Sequence, residues 1–439
     1  MGLSSFVFII VLALTIFFFV RSVRRIAFNI HLGKDIVIDD DKPRRWKTMA
    51  KVALGQSKMT VRPVAGFLHI IVYVGFVLIN IEVLEIIIDG ISGSHRILSF
   101  AGEFYNYLIG FFDILAFLVL LSCVIFLIRR NILKIDRFKS PDLKGWPFLD
   151  ANVILLFEIV LMSAILIMNA SDYKLQSLAP ELYHSAGSFP ISGWLVNILP
   201  ENIDSLILIE RSMWWVHIVG IFLFLNYVPF SKHFHILLAF PNTYYSNLKV
   251  KGDLNNLESV TNEVKMMMDP SADPYATPAA DSNQVVEKFG AEDVTDLTWK
   301  SIMDAYTCTE CGRCSDVCPA NQTGKLLSPR KIMMDVRDRV EELGAIKRKS
   351  GMDSIDDKKL LGDYILEEEI WACNTCNACT EACPVNNDPL QVIIDIRRYL
   401  VMEKSKIPSE LAATFTNIEN NGAPWQFAPS DRLNWKNES

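Results

Sequence analysis

The chain has 439 residues, 51% of them hydrophobic, and its 43 Lys and Arg against 50 Asp and Glu give a net charge of −7. A chain with net negative charge binds phosphate backbones poorly, so we expect no nucleic-acid partner. Apolar runs dominate residues 1–245 and charged residues dominate the remainder, which excludes a single uniform soluble domain.

Five stretches within residues 1–245 are long and apolar enough to cross a lipid bilayer as helices. The first is followed by Arg21, Arg24 and Arg25 rather than by a small-residue cleavage site, so we interpret it as an anchor and not as a signal peptide. The sequence therefore predicts an all-α, multi-pass membrane domain. The five stretches are 5–20, 64–89, 104–128, 151–169 and 212–240.

Basic residues are distributed unevenly among the connecting loops. Eleven Lys and Arg lie within 21–62 and six within 129–144, whereas the other two loops contain only Arg96 and then Lys174 and Arg211. Because loops rich in Lys and Arg stay in the cytoplasm, the N-terminus is predicted to lie outside and everything after residue 240 inside. We expect the cytoplasmic membrane of a bacterium or an archaeon.

Histidines within the spans are informative, because polar residues inside a membrane are costly. His69 on the second span and His235 on the fifth each lie seven residues from a polar residue at the cytoplasmic surface, Arg62 and Asn242 respectively. Two imidazoles at one depth on antiparallel helices can bind a b-type haem from both sides. The alternative is a hydrogen-bonding or packing role for each histidine.

His217 and His233 lie on the same predicted helix as His235. His217 is eighteen residues before His235, or five turns of 3.6 residues, so both would share one face about 27 Å apart. His217 could therefore bind a second haem near the outer surface, where the loops offer His95 and His184 as its partner. His233 falls on nearly the opposite face and is the weaker candidate.

The segment from His217 to Tyr245, in which a Pro-Phe-Ser-Lys turn precedes His235, resembles the last spanning helix of the gamma subunit of respiratory nitrate reductase. Members of that family are five-helix cytochromes b, with the N-terminus outside, that exchange electrons with quinol. The resemblance implies menaquinone or ubiquinone as substrate, and two haems held by two histidines on helix two and two on helix five. His69, His217 and His235 match three of these ligands, and Ile79 occupies the place of the fourth.

Three acidic residues, Glu82, Glu85 and Asp89, share one face at the outer end of the second span. One interpretation is that they carry protons from a quinol site to the outside. The other is that they are solvated at a helix end, and this is the one we expect.

A segment rich in Pro, Ala and Asp, residues 269–280, follows the membrane domain and has no apolar periodicity. We assign residues 246–284 to a linker on this basis. Helical patterns then resume and continue, at about 329–343, 358–369 and 390–402, around two cysteine runs. The sequence thus predicts an α-helical domain over residues 285–405 and a C-terminal tail over residues 406–439.

Eight of the nine cysteines form two runs of equal spacing, C-x-x-C-x-x-C-x-x-x-C-P, at residues 308–319 and 373–384. This is the iron–sulfur run whose fourth cysteine binds the other cluster in two-cluster ferredoxins. Three thiolates two residues apart fit three irons of one cubane, and the fourth lies beyond its reach. Zinc sites use two CxxC pairs and disulfides belong to oxidising compartments, so neither explains the pattern. The predicted ligands are Cys308, Cys311, Cys314 and Cys383 for one [4Fe-4S] cluster, called cluster 1, and Cys373, Cys376, Cys379 and Cys318 for the other, called cluster 2.

The second half resembles the C-type subunit of heterodisulfide reductase and its relatives in the words CTECGRCSDVCPA, WACNTCNACTEACPV and IDIRRYLV. Their helical dicluster domain also occurs in succinate dehydrogenase iron–sulfur subunits, whose additional [2Fe-2S] cysteines are absent here. The tail sequence IENNGAPWQFAPSDRLNW is similar to the segment that precedes a CCG domain in fused relatives. Because no CCG motif is present, the resemblance implies a separate CCG iron–sulfur protein, like the B-type subunit of heterodisulfide reductase, docked near this tail.

These features together predict the electron-transfer subunit of a quinone-linked, membrane-bound oxidoreductase. Electrons would pass between a quinone and a cytoplasmic partner through haem and two clusters, for which the protein supplies ligands, spacing and burial. A CCG iron–sulfur protein or an electron-transferring flavoprotein is the expected partner. Two alternatives stay open: a membrane-anchored iron–sulfur redox sensor or structural anchor, and the membrane subunit of a heterodisulfide-reductase-like complex.

Overall fold

The computed structural model describes residues 2–269, 288–354 and 356–437 of the chain. This part is all-α, as the sequence predicts, and within it the strand-like pairings are two isolated bridges. The predicted linker, residues 246–284, is described up to residue 269 and contains the helix Glu258–Met268, whereas the rest of it, with nearly all of the segment rich in Pro, Ala and Asp, lies outside the described part. The α-helices are α1 Leu3–Ile30, α2 Lys42–Met49, α3 Pro63–Ser92, α4 Glu103–Leu127, α5 Trp146–Leu178, α6 Ile203–Tyr227, α7 His235–Tyr244, α8 Glu258–Met268, α9 Trp299–Thr307, α10 Arg313–Asp316, α11 Pro319–Gln322, α12 Pro329–Ser350, α13 Glu367–Trp371, α14 Ala378–Ala382, α15 Pro389–Arg398 and α16 Ser409–Asn421.

Five of the described helices are long and apolar enough to cross a membrane, which confirms the number of spans predicted from the sequence. Helices α3 to α6 pack against one another in chain order, and α1 lies against α3 and α6. Their contact surface is a cluster of buried apolar side chains that includes Phe8, Tyr105 and Phe112. Many apolar side chains on the outward faces are exposed, as expected of helices surrounded by lipid. The candidate spans are Leu3–Ile30, Pro63–Ser92, Glu103–Ile132, Trp146–Leu178 and Ile203–Phe230.

The fifth span differs from its predicted form, because the chain leaves the helix near Pro229. A proline cannot donate the backbone hydrogen bond that continues a helix, and Ser231 then has an extended backbone (φ −118°, ψ 161°). Helix α6 therefore ends at Tyr227, and α7 begins only at His235. The single helix predicted over residues 212–240 is wrong, and so is the helical face that His217 was expected to share with His235.

The second half of the chain packs onto the ends of the spans that are joined by residues 31–62 and 133–145, which the basic residues of these loops predict to be the inner ends. Helices α9, α12 and α15 enclose a core that contains Ile302, Val336 and Ile393. The same core includes Ile26 of α1 and Phe224 of α6. Since apolar side chains from both halves are buried together, the cysteine region is held directly against the membrane bundle.

Two of the three helical stretches predicted around the cysteine runs are confirmed. Helix α12 begins at Pro329, and α15 continues beyond Arg398 as a wider turn to Glu403. The stretch predicted over residues 358–369 is wrong in its first part, where Gly362 has φ 102° and regular helix begins only at Glu367. A residue with positive φ cannot continue a right-handed helix.

Candidate metal centres

The two cysteine runs fold into similar loops. In the first loop, Glu310 and Gly312 have left-handed backbone angles (φ 51° and 73°), and Thr375 and Asn377 repeat them in the second (φ 54° and 60°). A left-handed residue turns the chain back sharply, so each loop curls around its own cysteines. The equal spacing in the sequence is therefore matched by equal backbone geometry.

The thiols are grouped across the two runs. One pocket is lined by Cys308, Cys311 and Cys314 of the first run together with Cys379 and Cys383 of the second. Cys383 thus lies beside the first run, as crossed ligation requires. Cys379, which was predicted for cluster 2, lies between the two groups.

Electrostatic coupling between thiols gives the same grouping. Burial raises the pKa of Cys373, and the neighbouring thiols of Cys318 and Cys376 raise it further. Burial also raises the pKa of Cys383 to about 12, and there the added influence comes from Cys311 of the first run. Each fourth cysteine therefore lies with the opposite run, which supports the two predicted ligand sets.

The sulfur atoms are in a state that suits iron–sulfur clusters. All nine cysteines lie in the described part of the chain and are free thiols. Two of the sulfurs accept hydrogen bonds from the backbone: Thr375 N–H donates to Cys373 Sγ (3.4 Å), and Asn387 N–H donates to Cys383 Sγ (3.2 Å). Such bonds stabilise the charge of iron-bound thiolates. Burial raises the pKa of Cys308, Cys373, Cys379 and Cys383, so binding of iron at these thiols must displace their protons.

The two thiol groups occupy different positions. The first loop faces the membrane bundle: Lys232 Nζ lies 2.5 Å from the Glu310 carboxylate, and Arg313 donates to the carbonyl oxygen of Lys58 (2.7 Å). In the second group, Cys376 is exposed to solvent. The cluster 1 ligands therefore lie at the junction of the two halves, and one cluster 2 ligand, Cys376, lies at the surface.

Three histidines come together at the inner end of the bundle. The rings of His233 and His235 lie 5.4 Å apart, and both are within electrostatic range of His69. The prediction that His233 falls on the opposite face is wrong, because the helix breaks near Pro229 and helical spacing no longer separates the two side chains.

Two of the three predicted haem ligands, His235 and His217, have a ring nitrogen beside a backbone carbonyl oxygen. The Nδ1 atom of His235 lies 3.0 Å from the carbonyl oxygen of Lys232, and that of His217 lies 2.9 Å from Leu161 O. A histidine that donates from Nδ1 keeps the lone pair of Nε2 free for a metal. Within the described residues, His217 Nε2 and His69 Nδ1 are buried and have no hydrogen-bond partner. These unpartnered nitrogens fit axial ligands of a haem iron.

The expected candidates for a partner of His217 have other contacts. His95 Nε2 lies 3.7 Å from the Asp172 carboxylate, and His184 Nε2 lies 3.1 Å from Ser99 Oγ. The two rings are 5.9 Å apart. These contacts account for both loop histidines without His217.

The acidic residues at the outer end of α3 are buried, so the expectation that they are solvated is wrong. The exposed fractions of Glu82, Glu85 and Asp89 are 4%, 3% and 8%. Asp89 accepts a hydrogen bond from the backbone N–H of Arg96 (2.7 Å), and Arg96 Nε donates to Asp172 (2.5 Å). One carboxylate oxygen of Glu82 has no partner among the described residues. The outer end of the bundle is therefore closed by a buried charged network.

Sequence reasoning missed three arginines beside the first cysteine loop. Arg330 is 1% exposed, lines the cysteine pocket and donates two hydrogen bonds to Asp142, each 2.8 Å long. Arg313 and Arg137 are within electrostatic range of Cys311. Arg313 was visible within the first cysteine run, but no spacing rule links Arg137 or Arg330 to that run.

A family model described as a 4Fe-4S dicluster domain matches residues 304–387. The chain is 29% identical to the "Probable iron-sulfur-binding oxidoreductase FadF" of Bacillus subtilis over 99% of its length, and 28% identical to the "EtfAB:quinone oxidoreductase" of Syntrophomonas wolfei over 93%. It covers only 61% and 56% of these relatives. No solved structure matches the chain.

A third relative matches the cysteine region. The chain is 29% identical, over 27% of its own length and 60% of the relative, to the C-type subunit of the ferredoxin/F(420)H(2)-dependent CoB-CoM heterodisulfide reductase of Methanosarcina acetivorans. The predicted likeness to this kind of heterodisulfide reductase subunit is therefore confirmed. The chain carries a [4Fe-4S] dicluster domain and is similar over nearly its whole length to iron–sulfur oxidoreductases.

Proposed function

We propose that this chain is the electron-transfer part of a membrane-bound quinone oxidoreductase, linking a quinone to a cytoplasmic redox partner. The observation that carries the proposal is that Lys232 contacts both candidate sites: its Nζ lies 2.5 Å from the carboxylate of Glu310 in the first cysteine loop, and its carbonyl oxygen lies 3.0 Å from Nδ1 of His235. The rate of electron transfer falls steeply with distance. Candidate haem ligands and candidate cluster ligands that are connected through one residue therefore suit a common path.

The ligands are those predicted from the sequence. Residues 1–245 supply His69 and His235 to a haem b, with His217 available to a second, and residues 285–405 supply the two sets of four cysteines. When bound, the haem and each cluster carry single electrons, which allows the two-electron chemistry of a quinol to be divided into single steps. The protein holds the sulfur and nitrogen ligands, buries them and fixes their separations.

The positions of the two thiol groups suggest an order for the path. The first group lies at the membrane junction, where Glu310 is bound by Lys232 (2.5 Å), and Cys376 of the second group is exposed. We therefore place the centres in the order quinone, haem, cluster 1, cluster 2, partner. In the orientation given by the basic loops, the N-terminus is outside and the cysteine domain is cytoplasmic.

The relatives suggest the partner and the substrate. The name of the Syntrophomonas wolfei relative joins EtfAB to a quinone, which supports an electron-transferring flavoprotein as partner and a quinone as substrate. The heterodisulfide reductase relative supports a CCG-type iron–sulfur protein, docked near residues 406–439, as the other partner.

Cofactor content tests this function. The full chain, produced in a host that assembles iron–sulfur clusters and haem, is purified in detergent and analysed for iron, acid-labile sulfide and haem. We expect about eight cluster irons per chain, a b-type absorbance, and reduction of that absorbance by a quinol. Clusters without any b-type absorbance would refute the quinone link and favour a redox sensor or structural anchor.

A matched pair of histidine variants tests the haem ligands. His235→Ala should abolish the inner haem absorbance, because the contact between its Nδ1 and Lys232 O (3.0 Å) leaves Nε2 as the nitrogen for a metal. His233→Ala should retain it, since the His233 ring packs against Phe224 (5.4 Å between centroids). The opposite result would assign the ligand to His233.

A further inference from the structure

Three cations near the first cysteine loop form no ion pair among the described residues. Arg313 is 5% exposed and donates to the carbonyl oxygen of Lys58 (2.7 Å). Arg137 lies 4.9 Å from the centroid of the Phe138 ring, and its Nε atom has no hydrogen-bond partner within the described ranges. Lys58 Nζ donates to the carbonyl oxygen of Thr380 (3.4 Å). Two carboxylates are within electrostatic range of these cations, Asp316 of Arg137 and Glu381 of Lys58, but they are paired with Arg62 and with Lys251 (3.0 Å) instead.

All three cations act on the cluster 1 ligands. Arg313 lies between Cys311 and Cys314 in the sequence, and it and Arg137 are within electrostatic range of the Cys311 thiol. Lys58 is within range of Cys383. A [4Fe-4S] cluster with four thiolate ligands is an anion that becomes more negative on reduction, so a fixed cation nearby favours the reduced form.

The carboxylates at this loop are each matched by cations. Glu310 lies 2.5 Å from Lys232 and 2.7 Å from Arg337. Asp142 is paired with Arg330 at 2.8 Å. These carboxylates are already neutralised. The excess positive charge beside cluster 1 therefore comes from Arg313, Arg137 and Lys58.

The cluster 2 ligands have a different environment. Arg397 donates to the carbonyl oxygens of Ile370 (2.7 Å) and Cys373 (2.6 Å). The negative charge of Asp388 is within electrostatic range of the Cys379 thiol and opposes the positive charge of Arg397. Water at the exposed Cys376 also stabilises a reduced cluster, which narrows the difference in reduction potential between the two clusters. Cys373 is partly exposed as well, but Cys379 and Cys318 are buried, and the charge of the buried Arg313 is screened much less by salt.

We propose that Arg313, Arg137 and Lys58 hold the reduction potential of cluster 1 above that of cluster 2, which makes electron transfer toward the membrane the downhill direction. The inference rests on the proposed function, because it requires both clusters. One electron leaves reduced cluster 2 and enters oxidised cluster 1. Two such electrons, with two protons, convert one quinone to its quinol. The reductant is a low-potential cytoplasmic redox protein, and the oxidant is the quinone.

Redox titration of the full chain, monitored by electron paramagnetic resonance, tests the proposal. Cys376→Ser assigns the cluster 2 signal. In the unmodified chain, cluster 1 should be reduced at the higher potential. Arg313→Gln should lower the ratio of reduced to oxidised cluster 1 at least tenfold at a fixed potential, which is a shift of 59 mV for a one-electron couple. Arg313→Lys keeps the charge, so the reduction potential of cluster 1 in this variant should lie close to that of the unmodified chain.

Controls separate charge from folding. Arg397→Gln should lower the potential of cluster 2 and leave that of cluster 1 in place. If Arg313→Gln loses iron, Arg137→Gln, in a loop of the membrane half, makes the same test. Equal potentials, a higher potential for cluster 2, or an Arg313→Gln titration that matches the unmodified chain would overturn the inference. Absence of both cluster signals from the unmodified chain would overturn the proposed function itself.

Discussion

A buried ion pair at the junction of the two halves gives a prediction of measurable size. The side chains of Arg330 and Asp142 are 1% and 8% exposed, and Nε and Nη2 of the arginine each lie 2.8 Å from a carboxylate oxygen. Asp142→Asn keeps the shape of the side chain but leaves a buried guanidinium without its carboxylate. Breaking one side of such a pair costs about 3–5 kcal/mol, which at about 1.4 kcal/mol per factor of ten lowers the folded-to-unfolded ratio at least about a hundredfold.

The assay is thermal unfolding of the detergent-solubilised chain, followed by near-ultraviolet circular dichroism. The control Lys139→Ala removes an exposed pair with Asp136 (2.6 Å) in the same loop and should change the midpoint little. Adding Arg330→Met to Asp142→Asn removes the unpaired charge and should recover part of the loss. If Asp142→Asn unfolds at the same temperature as Lys139→Ala, the reasoning is refuted.

The same pair gives a pH dependence. Burial alone would raise the pKa of Asp142, but the hydrogen bonds and charge of Arg330 outweigh burial and hold that pKa below its ordinary value of 3.8. A carboxyl group with a lowered pKa stabilises the fold above its ordinary pKa, and this contribution is lost as the pH falls through the lowered value. The advantage of the unmodified chain over Asp142→Asn should therefore persist at neutral pH and shrink below about pH 4.

Three further substitutions test the cysteine region and the outer network. Gly312→Ala should reduce bound iron, because Gly312 has φ 73° and a Cβ there would overlap a buried guanidinium; Gly324→Ala, with φ 81° but open space, controls for backbone strain. Cys318→Ser should damage the cluster 2 signal before that of cluster 1, and damage confined to cluster 1 would contradict crossed ligation. Arg96→Gln should lower the unfolding midpoint by removing the partner of buried Asp172, at a cost of about 3–5 kcal/mol; an unchanged midpoint would show that the network contributes little.

The membrane and cluster regions are coupled through packing as well as through charge. Ile26 and Phe224 of the spanning helices share a core with Ile302 and Val336 of the cysteine domain. Trp299 N–H donates to the carbonyl oxygen of Lys34 (3.0 Å) and joins α9 to the segment after α1. A path for electrons across this junction would therefore have fixed separations rather than separations set by a tethered domain.

Features that depend on local spacing could be predicted from the order of the residues alone. An apolar stretch long enough to cross a bilayer must form a helix, since its backbone polar groups have no other partners there, and this was sufficient for the five spans. The repeated cysteine spacing was sufficient for the dicluster domain, because a cubane constrains the positions of its thiolates over a few residues.

Features that depend on residues far apart in the chain could be seen only in the folded protein. The break near Pro229 changes which way His233 and His235 point, and a helical period continued through a proline could not show it. The burial of Glu82 depends on how α3 packs against its neighbours, whereas its place at a helix end suggested water. The placement of Arg137 and Lys58 beside the first cysteine run depends on how two halves of the chain dock. Charges act through space, so their effect on a site can be read only once the site has been assembled.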